Sequence, residues 1–168
     1  MSSGFRLSGC KGFVLRFSVL ALLLFSMVGG ALAQYSSPPS GEWSVSLDGN
    51  AKAVALSSGT AFVAETNTNR LTAVDVSSES EIWSVSLDGD GRGVAVSDGT
   101  VFVTEGEGGK ALTAVDISSQ SESWSVSLDG FGNDVAVSDG TAFVAEGFEG
   151  QALTAVDISS QSETWSVS

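Results

Sequence analysis

Carboxylates are the only side chains plentiful enough here to do acid–base or metal chemistry: the chain has twenty Asp and Glu, seven Lys and Arg, one cysteine and no histidine. Without histidine, Ser-His-Asp triads, Cys-His dyads and the usual zinc sites are not available. A carboxylate pair can cleave a glycosidic bond, but a catalytic pair is normally a unique constellation. Glu65, Glu105 and Glu146 instead recur at one position per repeat, as do Asp75, Asp116 and Asp157. Repetition points to turn formation or hydrogen bonding to the backbone. Asp88-Gly89-Asp90-Gly91 resembles part of a calcium loop, with Asp129 to Asp134 a looser version. Calcium needs six or more oxygen ligands, usually with a bidentate carboxylate at a fixed later position. No such partner is evident, so a Gly-rich turn is expected. No catalytic residue, metal ligand or cofactor is assigned, and the chain reads as a non-enzyme.

The elements that position these residues are set by a repeat. Trp-Ser-Val-Ser-Leu-Asp-Gly begins at Trp43, Trp83 and Trp124, and a further copy begins at Trp165, giving spacings of 40, 41 and 41 residues. Between the tryptophans recur Val-Ala-Val-Ser-Asp-Gly (from Val94 and Val135), Phe-Val (Phe62, Phe102, Phe143) and Leu-Thr-Ala-Val-Asp (from Leu71, Leu112 and Leu153). Trp83 to Leu87 alternates apolar and polar residues, which buries one face of a strand and leaves the other in water. Asp98-Gly99 and Asp139-Gly140 separate two Val-rich segments where a two-residue turn needs positive φ, so each pair predicts a tight hairpin; Ser58-Gly59 is a weaker version. No mature segment carries an apolar face at helical spacing.

Each unit of about 41 residues thus holds four short strands. At this period such units stack radially as blades that cover one another's faces. The predicted fold class is all-β: a partial β-propeller of three four-stranded antiparallel blades plus an extra strand, preceded by a helical signal peptide. The expected divisions are 1–33 signal peptide, 34–42 linker and 43–168 repeats, the latter at about 43–83, 84–124 and 125–165 with a last strand to 168. Trp83, Trp124 and Trp165 are expected on outermost strands, packing against the next blade.

Ala73, Ala114 and Ala155 each open an Ala-x-Asp-(seven residues)-Trp spacing that ends at Trp83, Trp124 and Trp165. This resembles the tryptophan-docking repeat of pyrroloquinoline-quinone-type propellers. The Gly-Thr-x-Phe-Val and Val-Asp-(Val/Ile)-Ser blocks also resemble LVIVD repeats of bacterial and archaeal surface proteins. The resemblance implies blade architecture over nearly all of the mature chain. It departs from the quinoprotein repeat where that repeat has Thr-Gly: the chain has Ser78-Glu79, Ser119-Gln120 and Ser160-Gln161.

The first 33 residues read as an export leader. Arg6, Lys11 and Arg16 precede the apolar run Phe17 to Val28, and Ala31-Leu32-Ala33 supplies small residues for cleavage before Gln34. Cys10 leaves with the leader, so no disulfide is expected afterwards. The mature chain keeps twenty acidic and four basic residues, a net charge of −16. Such a field repels nucleic acid and anionic headgroups. A secreted, periplasmic or cell-surface location is expected, with no nucleic-acid partner and no membrane insertion after cleavage.

Comparing the copies locates a candidate site. The Ser-Asp-Gly-Thr and Ser-Ser-Gln-Ser-Glu segments barely change. Two other loops vary: Gly49 to Ala53, Gly89 to Gly93 and Gly130 to Asp134, and Thr66 to Arg70, Gly106 to Lys110 and Gly147 to Gln151. In an up-and-down blade both loops emerge on one side. Lys52, Arg70, Arg92 and Lys110, the four bases of the mature chain, fall in them together with Phe131 and Phe148. Rigid scaffolds place recognition on such loops, so these six residues are the predicted binding face for a protein or glycan partner. Two alternatives stay open: an N-terminal fragment of a propeller enzyme, quinoprotein-like dehydrogenase or glycoside-active, and a structural or envelope-assembly scaffold. A closed propeller needs at least four blades, so the ring is expected to be completed by the remainder of a longer chain or by homo-oligomerisation, or else to stay an open arc.

Overall fold

The computed structural model describes residues 43–148, 150 and 152–168; the leader assigned to 1–33 and the linker assigned to 34–42 lie outside the described residues. Twelve strands follow one another: β1 Asn50–Ser57, β2 Thr60–Thr66, β3 Arg70–Asp75, β4 Ser80–Ser86, β5 Gly91–Ser97, β6 Thr100–Glu105, β7 Ala111–Asp116, β8 Ser121–Ser127, β9 Phe131–Ser138, β10 Thr141–Gly147, β11 Leu153–Asp157 and β12 Ser162–Val167. They make three antiparallel four-stranded sheets in sequence order, with no helix among the described residues. No helix there is long and apolar enough to cross a membrane. The segment Trp43 to Leu47 contributes a single bridge residue, Ser46, beside the first sheet.

Hairpin chemistry fixes the register. Asp98 and Gly99 have φ of 47° and 77°, Asp139 and Gly140 of 50° and 75°, and Ser58 and Gly59 of 48° and 81°. Two positive-φ residues in a row give the turn whose twist matches that of the flanking strands. A second left-handed position closes each β3–β4-type turn: Glu79, Gln120 and Gln161 have φ of 56°, 55° and 54°. These are the positions where the quinoprotein repeat carries glycine, so the backbone conformation persists without the residue best suited to it.

Across each sheet one row of paired residues alternates small and large. Ala55 faces Phe62, Phe62 faces Ala73, and Ala73 faces Trp83. The alanine leaves room for the flanking rings to meet above it: Phe62 and Trp83 have centroids 5.7 Å apart, Phe102 and Trp124 5.9 Å, and Phe143 and Trp165 6.2 Å. This is the physical content of the Ala-x-Asp…Trp spacing.

Neighbouring sheets pack face to face. One junction joins Phe62, Ala64, Leu71, Ala73 and half-buried Trp83 of the first sheet to Val94, Val101, Val103 and Val115 of the second. The next repeats it: Phe102, Leu112, Ala114 and Trp124 meet Val135, Ala142, Val144 and Val156 of the third. Trp83 and Trp124 therefore lie between sheets on outermost strands, as expected. Each sheet has a leading face, turned toward the sheet before it, and a trailing face, turned toward the sheet after it. Among the described residues, Trp43, Val45 and Leu47 pack against the leading face of the first sheet.

Candidate functional site

The recurrent glutamates are buried. Glu105 ends β6, Glu65 and Glu146 are the last residues but one of β2 and β10, and all three are nearly or fully withdrawn from solvent. One carboxylate oxygen accepts the amide of the glycine that leads into the innermost strand: Gly49 to Glu65 at 2.6 Å, Gly89 to Glu105 at 2.6 Å and Gly130 to Glu146 at 2.7 Å. The other accepts a threonine hydroxyl from the third strand, Thr72, Thr113 or Thr154. Each glutamate thus ties three parts of its sheet together at the variable end. Burial pushes the Glu105 carboxyl up from its ordinary range, against the lowering effect of the Thr113 hydroxyl and the Gly89 amide. The glycine is required: a Cβ on Gly89 would stand 2.2 Å from the Gly109 nitrogen. Sequence reading pointed to backbone bonding in general and missed this fixed Gly–Glu–Thr triad, whose signal is a Thr seven or eight residues after each Glu.

The recurrent aspartates do a different job at the opposite end. Asp75 accepts the Ser77 hydroxyl and the Ser78 amide, both at 2.6 Å. Asp116 and Asp157 repeat the turn with Ser118 and Ser119 and with Ser159 and Ser160. The Ser77 hydroxyl, then the Ser78 amide, lowers the Asp75 carboxyl to about 2. The equivalent bonds lower Asp116 and Asp157. Both sets of acids are thus engaged in holding the blades. Among the described residues no group of three or more acids is placed to hold a metal ion.

The six predicted binding residues lie at the variable end, but four are on strands and not in loops: Lys52 on β1, Arg70 on β3, Arg92 on β5 and Phe131 on β9. The innermost strand begins earlier than the turn residues suggested, with a bulge at its start in β1 and β5. Lys110 and Phe148 lie in the turns that precede β7 and follow β10.

Four of the six come together on the rim between the second and third sheets. The Arg92 guanidinium lies 5.0 Å from the centre of the Phe131 ring, and the Lys110 ammonium 5.5 Å from it. Phe131 and Phe148 have centroids 5.3 Å apart. Cations over an aromatic face are attracted by the ring quadrupole. Arg92 also donates to the Asn133 side chain at 3.3 Å, a contact that residue types alone did not mark. Its Nε is buried without a hydrogen-bond partner. Phe148 is 68% exposed, so the cluster presents an apolar surface flanked by positive charge.

The other two residues do not join it. Arg70 turns to Asp48, Glu81 and Ser84 within its own blade. Lys52 is exposed on β1. On the rim between the first and second sheets the position of Phe131 is taken by Asp90, which accepts the Asn67 amide at 2.9 Å.

No curated protein sequence matches the chain significantly. Among solved structures it is similar to hydrazine synthase of Kuenenia stuttgartiensis, with a TM-score of 0.65 and 20% identity over 69% of this chain and 35% of that one. It is also similar to a europium-containing methanol dehydrogenase, with a TM-score of 0.58 and 16% identity over 70% and 25%. A third likeness is to BamB of Moraxella catarrhalis, with a TM-score of 0.59 and 16% identity over 74% and 39%. The chain spans between a quarter and two-fifths of these proteins, and the likeness is one of fold. A family model described as outer membrane protein assembly factor BamB matches residues 31–127 and again 67–168, two overlapping spans. The match carries the quinoprotein-type part of the sequence resemblance and agrees with the three tryptophan-bearing sheets, so the chain belongs to the PQQ-type repeat family of the outer membrane protein assembly factor BamB.

Proposed function

We propose that the chain is a secreted, periplasmic or cell-surface module without chemistry of its own, which binds a partner through the rim where Arg92, Lys110, Phe131 and Phe148 meet. The observation that carries this reading is the convergence of residues from β5, β9 and two turns on one ring. An exposed aromatic flanked by cations, on a chain of net charge −13, suits a partner that offers carboxylates beside apolar side chains. The family description, an outer membrane protein assembly factor, favours a protein of the cell envelope over a glycan. The export leader supports the location.

The test is site-specific photo-crosslinking in expressing cells. A photoreactive residue at Phe148 is expected to yield a discrete protein adduct, reduced at least tenfold when Arg92, Lys110 and Phe131 are replaced together by Ser. A probe at Asp98, on the opposite end of the blades, is expected to yield none. Equal adducts from both positions, or adducts indifferent to the triple replacement, would refute the rim as the site.

A further inference from the structure

Lys52, Arg92 and Asn133 are the extra residues of the bulges near the start of β1, β5 and β9. A bulge re-aims its side chain. The residue after each buried glutamate is Thr66, Gly106 or Gly147. Neither glycine has a positive φ, so the backbone conformation does not demand one. What they supply is space: a Cβ on Gly106 would overlap the Nε of Arg92, and one on Gly147 would overlap the side-chain amide of Asn133. In the first sheet Thr66 carries a Cβ, and Lys52 is exposed. The seat against Gly106 buries the Arg92 Nε without a hydrogen-bond partner among the described residues, and an unpaired buried donor destabilises a fold. Contacts with Phe131 and Asn133 hold the guanidinium there, whereas an arginine swung into water would leave no donor unpaired.

We propose that Gly106 is the positioning residue of the rim: it seats Arg92 beside Phe131 so that the guanidinium receives a carboxylate of the protein partner, while Phe148 takes the apolar group next to that carboxylate. This rests on the rim being the binding face. A guanidinium has five N–H donors, and among the described residues Arg92 gives one of them, from Nη1 to the Asn133 Oδ1 at 3.3 Å. The seat buries Nε, so the Nη groups of this half-buried side chain are the ones left for a carboxylate, through charge-assisted bonds stronger than neutral ones. A guanidinium already fixed loses less rotamer freedom on binding than a mobile one. An acidic segment is otherwise repelled by a chain of net charge −13, which confines its approach to a place where a cation is held ready.

Two measurements test the seat and the recognition separately. Arg6 and Arg16 lie in the leader, so the purified chain from Gln34 onward has two arginine Nε–H signals by nitrogen-15 NMR, and Arg92→Lys assigns them. The Arg92 signal is expected to exchange with solvent at least tenfold more slowly than free arginine. Gly106→Thr should return it to the free rate with the β circular dichroism and melting of the parent, because a threonine fills this place in the first sheet. Gly106→Ala, which adds the Cβ alone, should act in the same direction. Free exchange in the parent, or protection that both variants leave intact, overturns the proposal. The photo-crosslink from Phe148 tests recognition. Gly106→Thr is expected to lower the adduct at least fivefold, and to lower it no further once Arg92 is Ala; peptide mapping should place Asp or Glu within three residues of the crosslinked site. A further fall in the Arg92→Ala background, an adduct indifferent to Gly106→Thr, or a crosslinked segment without a carboxylate overturns the proposal and leaves the rim as the binding face. No adduct from the parent overturns both.

Discussion

The two junctions between sheets have matching interiors and unlike rims. Inside, Phe62 and Phe102, Leu71 and Leu112, Ala73 and Ala114 and the two tryptophans occupy equivalent places. At the rims, Asp90 accepts a backbone amide from the first sheet's turn, whereas Phe131 stacks on Phe148 beneath two cations. The interior tolerates little change because tightly packed side chains lose both transfer energy and cavity contacts when truncated. The rim is half open to water and can differ from one junction to the next without unfolding either. Stability is thus assigned to what the repeats share, and recognition to where they differ.

The largest expected effect breaks the sharing itself. Phe102 is enclosed between the second and third sheets, while Phe143, at the same place in the repeat, lies on the open face of the third. Phe102→Ala is expected to cost about 3–5 kcal/mol. Phe143→Ala should cost less, about 1–3 kcal/mol, since its side chain is partly and not fully buried. Urea unfolding of both variants measures the gap. Equal losses would mean that both phenylalanines are equally covered in solution.

Much of this architecture was legible in the chain. Trp83, Trp124 and Trp165 marked the outer strands, and Asp98-Gly99 and Asp139-Gly140 marked the hairpins, because a period of two and a positive-φ turn are local properties. The fate of the variable bases was not. Lys52, Arg70, Arg92 and Lys110 share one end of the blades, but whether a cation finds Phe131 or Asp48 depends on a neighbour about 40 or 20 residues away in sequence. The bulges that carry Arg92 and Lys52 onto strands also lacked a local mark. The Gly–Glu–Thr triads fell between these cases: their recurrence was visible, and their burial was not.

A middle-sized effect tests one of those triads. With the Glu105 pKa raised in the fold, the folded state holds its proton more tightly than the unfolded chain does, so this group's contribution to stability falls as pH rises above 4.5. Glu105→Gln removes that titration and leaves either Gly89 or Thr113 without its acceptor, at a cost of about 1–3 kcal/mol near pH 4.5. The gap between parent and variant should narrow as pH is raised toward 8. The depressed aspartates act in the opposite window: Asp75 stabilises above pH 3.8 and ceases to do so as pH falls through about 2. Unfolding curves from pH 4.5 upward therefore isolate the glutamate. A gap that stays constant over that range would show that Glu105 does not titrate differently in the fold.

The smallest effect belongs to the rim. Arg92→Ala and Phe131→Ala, alone and combined, form a double-mutant cycle whose coupling energy is expected to be about 0.5–1 kcal/mol, the range for a cation over a partly exposed ring. Lys110 shares the same ring at 5.5 Å, so the coupling should grow slightly when Lys110 is also replaced and no longer competes with Arg92 for it. Chemical denaturation of the parent and the three variants supplies the cycle. A coupling near zero, with each single variant as stable as the parent, would mean that Arg92 swings free of Phe131 in water. The rim would then resemble the Asp90 rim in having no preorganised aromatic–cation surface, and the contrast between the two junctions would reduce to sequence alone.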